Sequence, residues 1–432
     1  MRNTFTFHVL RFSAKEVPIV QTKRSSGLFA INTYWFGISY LWNSLGPLVL
    51  PMLVAGLVPE AVKGSALGLL TAVGMVVAIV VQPLAGAISD RSTSRWGRRR
   101  PFIVGGTLAD MVFLVAIAVA PRYWFLLAAY FGLQVASNVA HGPYQGLIPD
   151  RVAPERWGQA SGIKQLAEIL GIIITSLAAG YLLSRGQVLL TILSIMAILL
   201  LTAAITIFGV HEEPLEHAEP APLLKTALDM FRIDLGRYSG FAWLLVSRLF
   251  IVVAMNLVRN YLLYYIQDLL HMTAQQAADS TGTLMAILAV AIALIVYPAG
   301  ALSDRIGRKP LVVFSGLAGA VGSLLLLLAR SYTQLLAFGA VLGLSIGIFL
   351  SVNWALLTDQ VPEEEAGRYL GVSNLATAGA GAVAGIGGPI IDIFNARAAG
   401  MGYVVLYVLA AACYLAGTVL LVKVREVRRA TA

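Results

Sequence analysis

Ionisable side chains lie deep within apolar stretches of this 432-residue chain, where a charge is costly and commonly serves a function. Glu168 lies about ten residues into one such stretch, roughly 15 Å deep at about 1.5 Å per helical residue. Lys164 precedes it by one helical turn and could pair with it on the same face. Glu168 is therefore a candidate for proton coupling, and a purely structural Lys164–Glu168 pair is the alternative.

Two more ionisable groups lie at a similar depth in other apolar stretches. Asp110 is the second candidate for proton coupling, and Arg248 is a candidate for binding a polar solute. Both interpretations follow from the cost of placing a charge in hydrocarbon, which favours keeping such residues only where they are used.

Polar and aromatic side chains within the same stretches could line a site for a sugar. Sugars offer hydroxyl groups to amides and cations, and C–H faces to aromatic rings. Structural roles are the alternative for each, because aromatic residues form interfacial belts and buried Asn residues join helices. The candidate substrate-binding residues are Asn32, Tyr34, Trp35, Asn43, Gln134, Asn138, His141, Lys164, Arg248, Asn256, Asn260, Asn353, Trp354 and Asn374.

The composition predicts that these residues are carried by membrane-spanning helices. Apolar residues make up 58% of the chain and charged residues 12%, against a usual charged share of about 25% in soluble proteins. Runs of about 20 apolar residues predict an all-α membrane protein with twelve transmembrane helices. The predicted spans are 28–53, 66–88, 101–120, 124–148, 159–183, 188–210, 239–266, 280–302, 310–329, 333–356, 368–391 and 401–423.

The chain contains an internal repeat. GAISDRSTSRWGRRRP, which begins at Gly86, returns in shortened form as GALSDRIGRKP at Gly300. LIPDRVAPERWGQASGIKQL from Leu147 aligns without gaps with LLTDQVPEEEAGRYLGVSNL from Leu356, 209 positions later. Two copies of one membrane unit predict two pseudo-symmetric six-helix bundles with a passage between them. The expected parts are a tail (1–27), the first bundle (28–210), a linker (211–238), the second bundle (239–423) and a tail (424–432).

The distribution of positive charge predicts the orientation. Most of the 31 Lys and Arg residues fall on the side that holds both termini, which the positive-inside rule places in the cytoplasm. We therefore expect a multi-pass protein of the plasma membrane, bacterial inner membrane included, in contact with the lipid bilayer. Since topology accounts for the pI of 9.6, no nucleic-acid partner is expected.

The sequence offers little support for an enzyme. Cys413 is the single cysteine, which excludes disulfides and Cys-based metal sites, and the five His residues lack metal-ligand spacing. Neither a nucleophile elbow nor a phosphate-binding loop occurs. We expect no metal and no cofactor, apart from a proton or another cation as a coupling ion.

The repeated motif G-x-x-x-D-R…G-R-[RK]-P, between the second and third spans of each half, resembles the major facilitator superfamily. The longer first copy, SDRSTSRWGRRRPFI after Val81-Gln82-Pro83, is similar to the sucrose–proton symporter family, near the glycoside–pentoside–hexuronide:cation symporters. The resemblance implies the major facilitator fold and transport of a sugar or glycoside by alternating access. It also implies that Glu168 and Arg248 face the pathway, whereas Asp110 packs against a neighbouring helix.

In that superfamily the motif resembles a conformational latch, in which the Asp pairs with Arg and meets the N-terminal end of a neighbouring helix. The alternative is that these charges serve topology only. Carried over to this chain, the latch comprises Gly86, Asp90, Arg91, Arg98, Gly300, Asp304, Arg305 and Arg308.

One departure from the sucrose symporters leaves proton coupling open. Gln134 stands where they carry an acidic residue, although Asn138, Gly142 and Pro143 fit their pattern. Either Glu168 has taken over coupling, or the protein is a uniporter or exchanger. The other readings are an exporter or carrier of drugs or lipids and, with less support, a non-transporting membrane sensor. We expect a monomer.

Overall fold

The computed structural model describes residues 27–212, 214, 238–361 and 366–424. The two predicted tails and the predicted linker lie almost entirely outside these residues. Within the described ranges the chain forms helices and short connections, without a β-strand.

Twelve long helices follow one another along the chain. They are α1 (Leu28–Leu57), α2 (Lys63–Ser89), α3 (Arg100–Ala118), α4 (Tyr123–Gln145), α5 (Trp157–Ser184), α6 (Val188–Gly209), α7 (Ser239–Asn260), α8 (Ala274–Ile306), α9 (Arg308–Leu328), α10 (Tyr332–Asp359), α11 (Gly371–Asn395) and α12 (Met401–Lys423). A short helix, Leu262–Leu269, follows α7.

Eleven of these helices are long and apolar enough to cross a membrane. The exception is α4, in which polar residues such as Gln134, Asn138 and His141 lower the mean hydropathy. It is nevertheless 23 residues long and packs against α2 and α3. Each predicted span therefore coincides with a helix, and the all-α architecture is confirmed.

Two glycines shape the matching loops before α3 and α9. Gly97 and Gly307 have φ angles of +101° and +100°, a region that side chains with a Cβ rarely enter. Each glycine precedes the Arg-rich end of its motif copy, so the conserved turn geometry within the repeat explains why glycine stands at both positions.

The two halves pack by one scheme. In the first half α1 contacts α5 and α6, α4 contacts α2 and α3, and α6 contacts α3. In the second half α7 contacts α11 and α12, α10 contacts α8 and α9, and α12 contacts α9. Adding six to each helix number converts the first set into the second, which is the pseudo-symmetry that the repeat predicted. The residue boundaries of the two bundles stay a prediction.

The most extensive contacts between the halves are made by two helix pairs, α5 with α8 and α2 with α11. These pairs are equivalent under the same pseudo-symmetry. We use "distal end" for the end of the molecule where the α1–α2, α7–α8 and α11–α12 connections lie, opposite the start of α1.

Candidate functional site

A cation, a carboxylate and aromatic rings meet between α1, α4 and α5. The Lys164 Nζ lies 3.3 Å from Glu168 Oε1 and 4.2 Å from the centroid of the Trp35 ring. The Trp35 ring in turn lies 5.1 Å from the ring centroids of His141 and Tyr144. The side chains of Lys164 and Glu168 are 31% and 26% exposed, so the ion pair is not sealed within the helix packing. We name Trp35, His141, Lys164 and Glu168 the first-half site.

A second polar cluster lies between α7, α10 and α11. The Arg248 guanidinium donates from Nη1 to Asn353 Oδ1 (2.6 Å) and from Nε to Thr377 Oγ1 (3.2 Å). Its Cζ lies 5.7 Å from the centroid of the Trp354 ring, and Trp354 is 37% exposed. We name Arg248, Asn353, Trp354 and Thr377 the second-half site.

The two sites lie between equivalent sets of helices, α1, α4 and α5 in the first half and α7, α10 and α11 in the second, although their cations and indoles stand at non-equivalent positions. Thr377 follows Glu168 by 209 positions, the separation that relates the two copies of the repeated segment. Each site sets a cation beside an indole ring: Lys164 beside Trp35, and Arg248 beside Trp354. The structure thus brings together seven of the residues that the sequence proposed for substrate or proton binding, in two groups.

Several predicted substrate residues bond within their own helix. Gln134 Nε2 donates to Tyr130 Oη (2.7 Å), and Asn138 Nδ2 donates to the Gln134 carbonyl oxygen (2.8 Å). The Nδ2 groups of Asn32 and Asn256 donate to the carbonyl oxygens one turn earlier, at 2.8 and 2.9 Å. These bonds satisfy amide groups in an apolar setting.

The other predicted substrate residues are spread through the molecule. Tyr34 is buried in the first half, with its hydroxyl 2.7 Å from Thr107 Oγ1. Asn43 Oδ1 accepts from Arg259 and so connects the two halves. Asn260 has a buried Nδ2 with no partner among the residues described, and Asn374 is exposed.

Asp110 lies apart from both sites. Its side chain is completely buried in the first half, and neither carboxyl oxygen has a hydrogen-bond partner within the described ranges. Glu168, in contrast, is partly exposed and paired. The two proton-coupling candidates therefore occupy different environments.

Arg99, which sequence reasoning missed, is the centre of the first latch cluster. Its guanidinium pairs with Asp90 and, at 3.1 Å, with Asp150, and donates to Ser89 Oγ at 2.7 Å. The predicted Arg98 also pairs with Asp150. The internal repeat contained a signal that could have pointed to this cluster, because Asp150, the partner of Arg99, has a counterpart 209 positions later in Asp359.

The second cluster repeats this arrangement around Arg308. Arg308 pairs with Asp359, lies 3.8 Å from Asp304 and donates to the Ala355 carbonyl oxygen at 2.6 Å. Arg308 follows Arg99 by the same 209 positions. Each arginine therefore fastens its motif loop to the end of α4 or α10 within its own half.

The remaining predicted latch residues fill supporting places. A Cβ on Gly86 would lie 3.9 Å from the backbone of Gly142, and one on Gly300 would lie 3.3 Å from Ser351 Oγ. Arg305 is exposed, and Arg91 has interactions of its own.

Glu212, another residue that sequence reasoning missed, caps α3. Its Oε2 accepts from the backbone N–H groups of Arg99 (3.0 Å) and Arg100 (2.9 Å). A carboxylate is favoured there by the positive end of the helix dipole. The carboxylate at the N-terminus of α3, the helix that follows the first motif loop, is therefore that of Glu212, which lies just after the end of α6.

Facing glycines bring the halves together toward the distal end. A Cβ on Gly388 would lie 2.0 Å from the Gly64 carbonyl oxygen, and one on Gly68 would lie 2.2 Å from that of Gly385. In the equivalent α5–α8 pair, a Cβ on Gly282 would lie 2.3 Å from the Ser176 carbonyl oxygen. Backbone contacts of this kind need glycine, because any side chain would separate the helices. We name the α2–α11 and α5–α8 contacts the distal seams.

Polar contacts reinforce the distal seams. The Asp392 carboxylate accepts from the N–H groups of Gly64 (3.0 Å) and Ser65 (2.6 Å) at the start of α2. The buried Lys63 Nζ lies 3.3 Å from both carboxylate oxygens of Asp268, and Tyr264 donates to the Pro51 carbonyl oxygen at 2.8 Å. The distal end is therefore closed by bonds between the halves.

The described residues include no group of three or more His, Cys, Asp or Glu side chains that could hold a metal ion.

Comparison with known proteins assigns the class to which this architecture belongs. The chain matches the family described as "MFS/sugar transport protein" over residues 60–424. The chain therefore belongs to this family of the major facilitator superfamily, a family of membrane transport proteins and not of enzymes, which confirms the resemblance drawn from the loop motif.

The chain is 25% identical over 222 residues to the sucrose transport protein SUC3 of Arabidopsis thaliana, covering 40% of this chain and 37% of that protein. It is 23% identical over 303 residues to a glucuronide carrier protein homolog of Escherichia coli K12, covering 66% and 64%. The alignments with the first three curated relatives cover 30%, 37% and 35% of those proteins, which is about a third of their length.

Among solved structures, a D-xylose–proton symporter superimposes with a TM-score of 0.67 at 16% identity, covering 90% of this chain and 96% of that one. At this identity the likeness establishes the fold.

Arg308→Gln should lower the stability of the second latch cluster by about 1–3 kcal/mol, because Asp359 loses its charged partner in a largely buried place. Thermal unfolding of the purified protein in detergent measures this effect. Arg305→Gln is the matched control, since it removes the same charge from an exposed position nearby. Equal unfolding temperatures for both variants would contradict the assigned role of Arg308.

Gly388→Val should hold the distal end open, because the new side chain would overlap the Gly64 carbonyl oxygen. A cysteine at Ser65, introduced after Cys413→Ala, should then react several-fold faster with a membrane-impermeant maleimide. Gly379→Val is the control on the same helix, since nothing lies within 4 Å of a Cβ there. Unchanged labelling in Gly388→Val would show that the α2–α11 seam does not seal this end.

Proposed function

We propose that this protein is a secondary active transporter that moves a sugar or glycoside across the plasma membrane by alternating access. The observation that carries the proposal is that each half of a transport-family chain sets a cation beside an indole ring between corresponding helices. An indole face can stack on the C–H face of a sugar ring, while cations and amides bond its hydroxyl groups. The names of the relatives, sucrose and glucuronide carriers, agree with this substrate class.

Alternating access requires contacts that can form and break at each end of the molecule. The distal seams meet this requirement, because they consist largely of close backbone approach and a few hydrogen bonds. Relative rotation of the halves would separate Asp392 from the start of α2 and expose both groups to water, where each is readily solvated. Closure at one end and opening at the other then alternate.

Glu168 is the coupling residue in this proposal. When it is ionised, it holds Lys164 beside Trp35; when it takes up a proton, Lys164 loses its counter-charge and becomes free to bind solute. The partial exposure of both side chains provides a route for the proton. Asp110, being buried and without a partner in the described part of the chain, is assigned a place in the helix packing of the first half.

Orientation and assembly follow from the same arrangement. The basic motif loops are assigned to the cytoplasm with both termini, and the distal end to the opposite side of the membrane. Both cation–indole sites belong to one chain, so a monomer suffices for the cycle.

Uptake of radiolabelled sucrose into proteoliposomes, with and without an inward proton gradient, tests the coupling step. The gradient should drive accumulation by the unmodified protein. Glu168→Gln should abolish this accumulation but retain exchange of labelled for unlabelled sugar, since the site is kept and the proton is not. Glu155→Gln, which removes an exposed carboxylate, serves as the control. If Glu168→Gln still accumulates sugar against a gradient, Glu168 is not the coupling residue; if no sugar enters under any condition, transport of this sugar is disproved.

A further inference from the structure

One hydrogen bond between the halves involves a cation that is absent from the predicted site residues. Arg259, near the end of α7, donates from Nη2 to the Asn43 amide oxygen of α1. The acceptor is neutral, so this bond joins the halves without pairing opposite charges. Arg259 and Asn43 are both partly exposed, and the bond is therefore not sealed within the helix packing.

The Arg259–Asn43 bond lies further from the distal end than the other hydrogen bonds described between the halves. Asn43 precedes Pro51, the acceptor of the Tyr264 bond, along α1. The separation is roughly 12 Å at about 1.5 Å per helical residue. A solute that enters while the distal end is closed therefore meets Arg259 before it meets these outer bonds.

Both helices lose their regular form directly beyond this bond. α1 contains a π-helical turn, Leu45–Val49, which begins shortly after Asn43. α7 ends at Asn260, and the chain resumes as the short helix Leu262–Leu269. Turns of the π type are common at functional sites and at bends in helices. The bond therefore joins the last regular turns of two helices that are equivalent under the pseudo-symmetry.

Hydrogen-bond donors lie beside free space around Arg259. Asn260, the next residue, has a buried Nδ2 with no partner within the described ranges. A Cβ on Gly46, three positions after Asn43 and so on the same face of α1, would meet nothing within 4 Å. A guanidinium carries several N–H donors, and a sugar offers hydroxyl and ring oxygens that accept from such groups.

The Asn43 acceptor is held in a fixed orientation. Its Nδ2 donates to the Ser39 carbonyl oxygen at 2.8 Å, which leaves Oδ1 to accept from Arg259. Ser39 Oγ donates in turn to the Glu168 carbonyl oxygen at 2.7 Å. The turn of α5 that carries the proposed coupling residue therefore helps to position the acceptor for Arg259.

We propose that Arg259 binds the solute, and that a solute oxygen replaces Asn43 Oδ1 as its acceptor. This inference rests on the proposed function and adds a residue to its binding site. Solute binding then competes with a bond between the halves for the same guanidinium. The loaded protein therefore opens at the distal end more readily than the empty protein does.

Binding of sucrose to the purified full-length protein, measured by calorimetry, tests the competition. Asn43→Ala removes the internal acceptor and should tighten binding several-fold. Asn43→Asp supplies a charged acceptor, which bonds a guanidinium more strongly than an amide does, and should weaken binding about tenfold. A purely structural role for Asn43 would shift both variants in the same direction. Gln187→Ala, which removes an exposed amide at the distal end, is the control.

The same measurement tests the cation. Arg259→Met keeps an unbranched side chain but removes the donors, and should weaken sucrose binding about tenfold or more. Arg330→Met removes the same charge from an exposed position at the distal end and should leave binding unchanged. Thermal unfolding shows whether each variant is folded.

Distal opening gives a second test, which holds even if Arg259→Met fails to fold. In protein carrying Cys413→Ala and a cysteine in place of Ser65, sucrose should speed labelling by a membrane-impermeant maleimide several-fold. Asn43→Ala in this background should label at the fast rate without sucrose, because the bond between the halves is already absent.

The outcomes separate this inference from the proposed function. Unchanged sucrose binding in folded Arg259→Met, or shifts in one direction for both Asn43 variants, would overturn the role of Arg259 while leaving a sugar transporter. Labelling that neither sucrose nor Asn43→Ala accelerates would overturn the competition with distal closure. Absence of sucrose binding by the unmodified protein would contradict sucrose as a cargo, and this inference with it.

Discussion

A charge held among apolar helices is costly without a partner, and the ion pairs of this chain follow from that constraint. Arg99 and Arg308 each find carboxylates within their own half, and Lys63 finds Asp268 across the two halves. These pairings fasten the motif loops and the distal seams. Arg248 bonds to the Asn353 amide oxygen and the Thr377 hydroxyl, and Arg259 bonds to the Asn43 amide oxygen across the two halves, so neutral oxygens take the place of carboxylates around these two cations.

Duplication explains both the likeness and the difference between the halves. The Arg–Asp fastening survives in both copies, because each copy must anchor the same kind of loop to the end of the same kind of helix. At the centre the copies have diverged: a carboxylate stands at Glu168 and a hydroxyl at Thr377. In the proposed cycle this difference gives proton handling to the first half and solute binding to the second, on corresponding sets of helices.

The sequence predicted the helices well and the side-chain partners less well. Apolar runs define spans because hydrocarbon thickness fixes their length, and the span of α4 was predicted from its apolar residues despite the polar ones among them. The choice of Arg99 over Arg98 as the centre of the latch depends on which way each side chain turns after Gly97, and spacing does not encode this. The bonds of Asp392 to the start of α2 join residues more than 300 positions apart, so they required the packed structure.

The glycine contacts at Gly64, Gly68, Gly385 and Gly388 bear on the electrical insulation of the membrane. Where two backbones touch without intervening side chains, the interface has no crevice wide enough for a file of water molecules. A carrier whose closed end is dry in this way does not conduct protons between turnovers. In the proposed cycle, the proton gradient across the bilayer is then dissipated only when cargo moves.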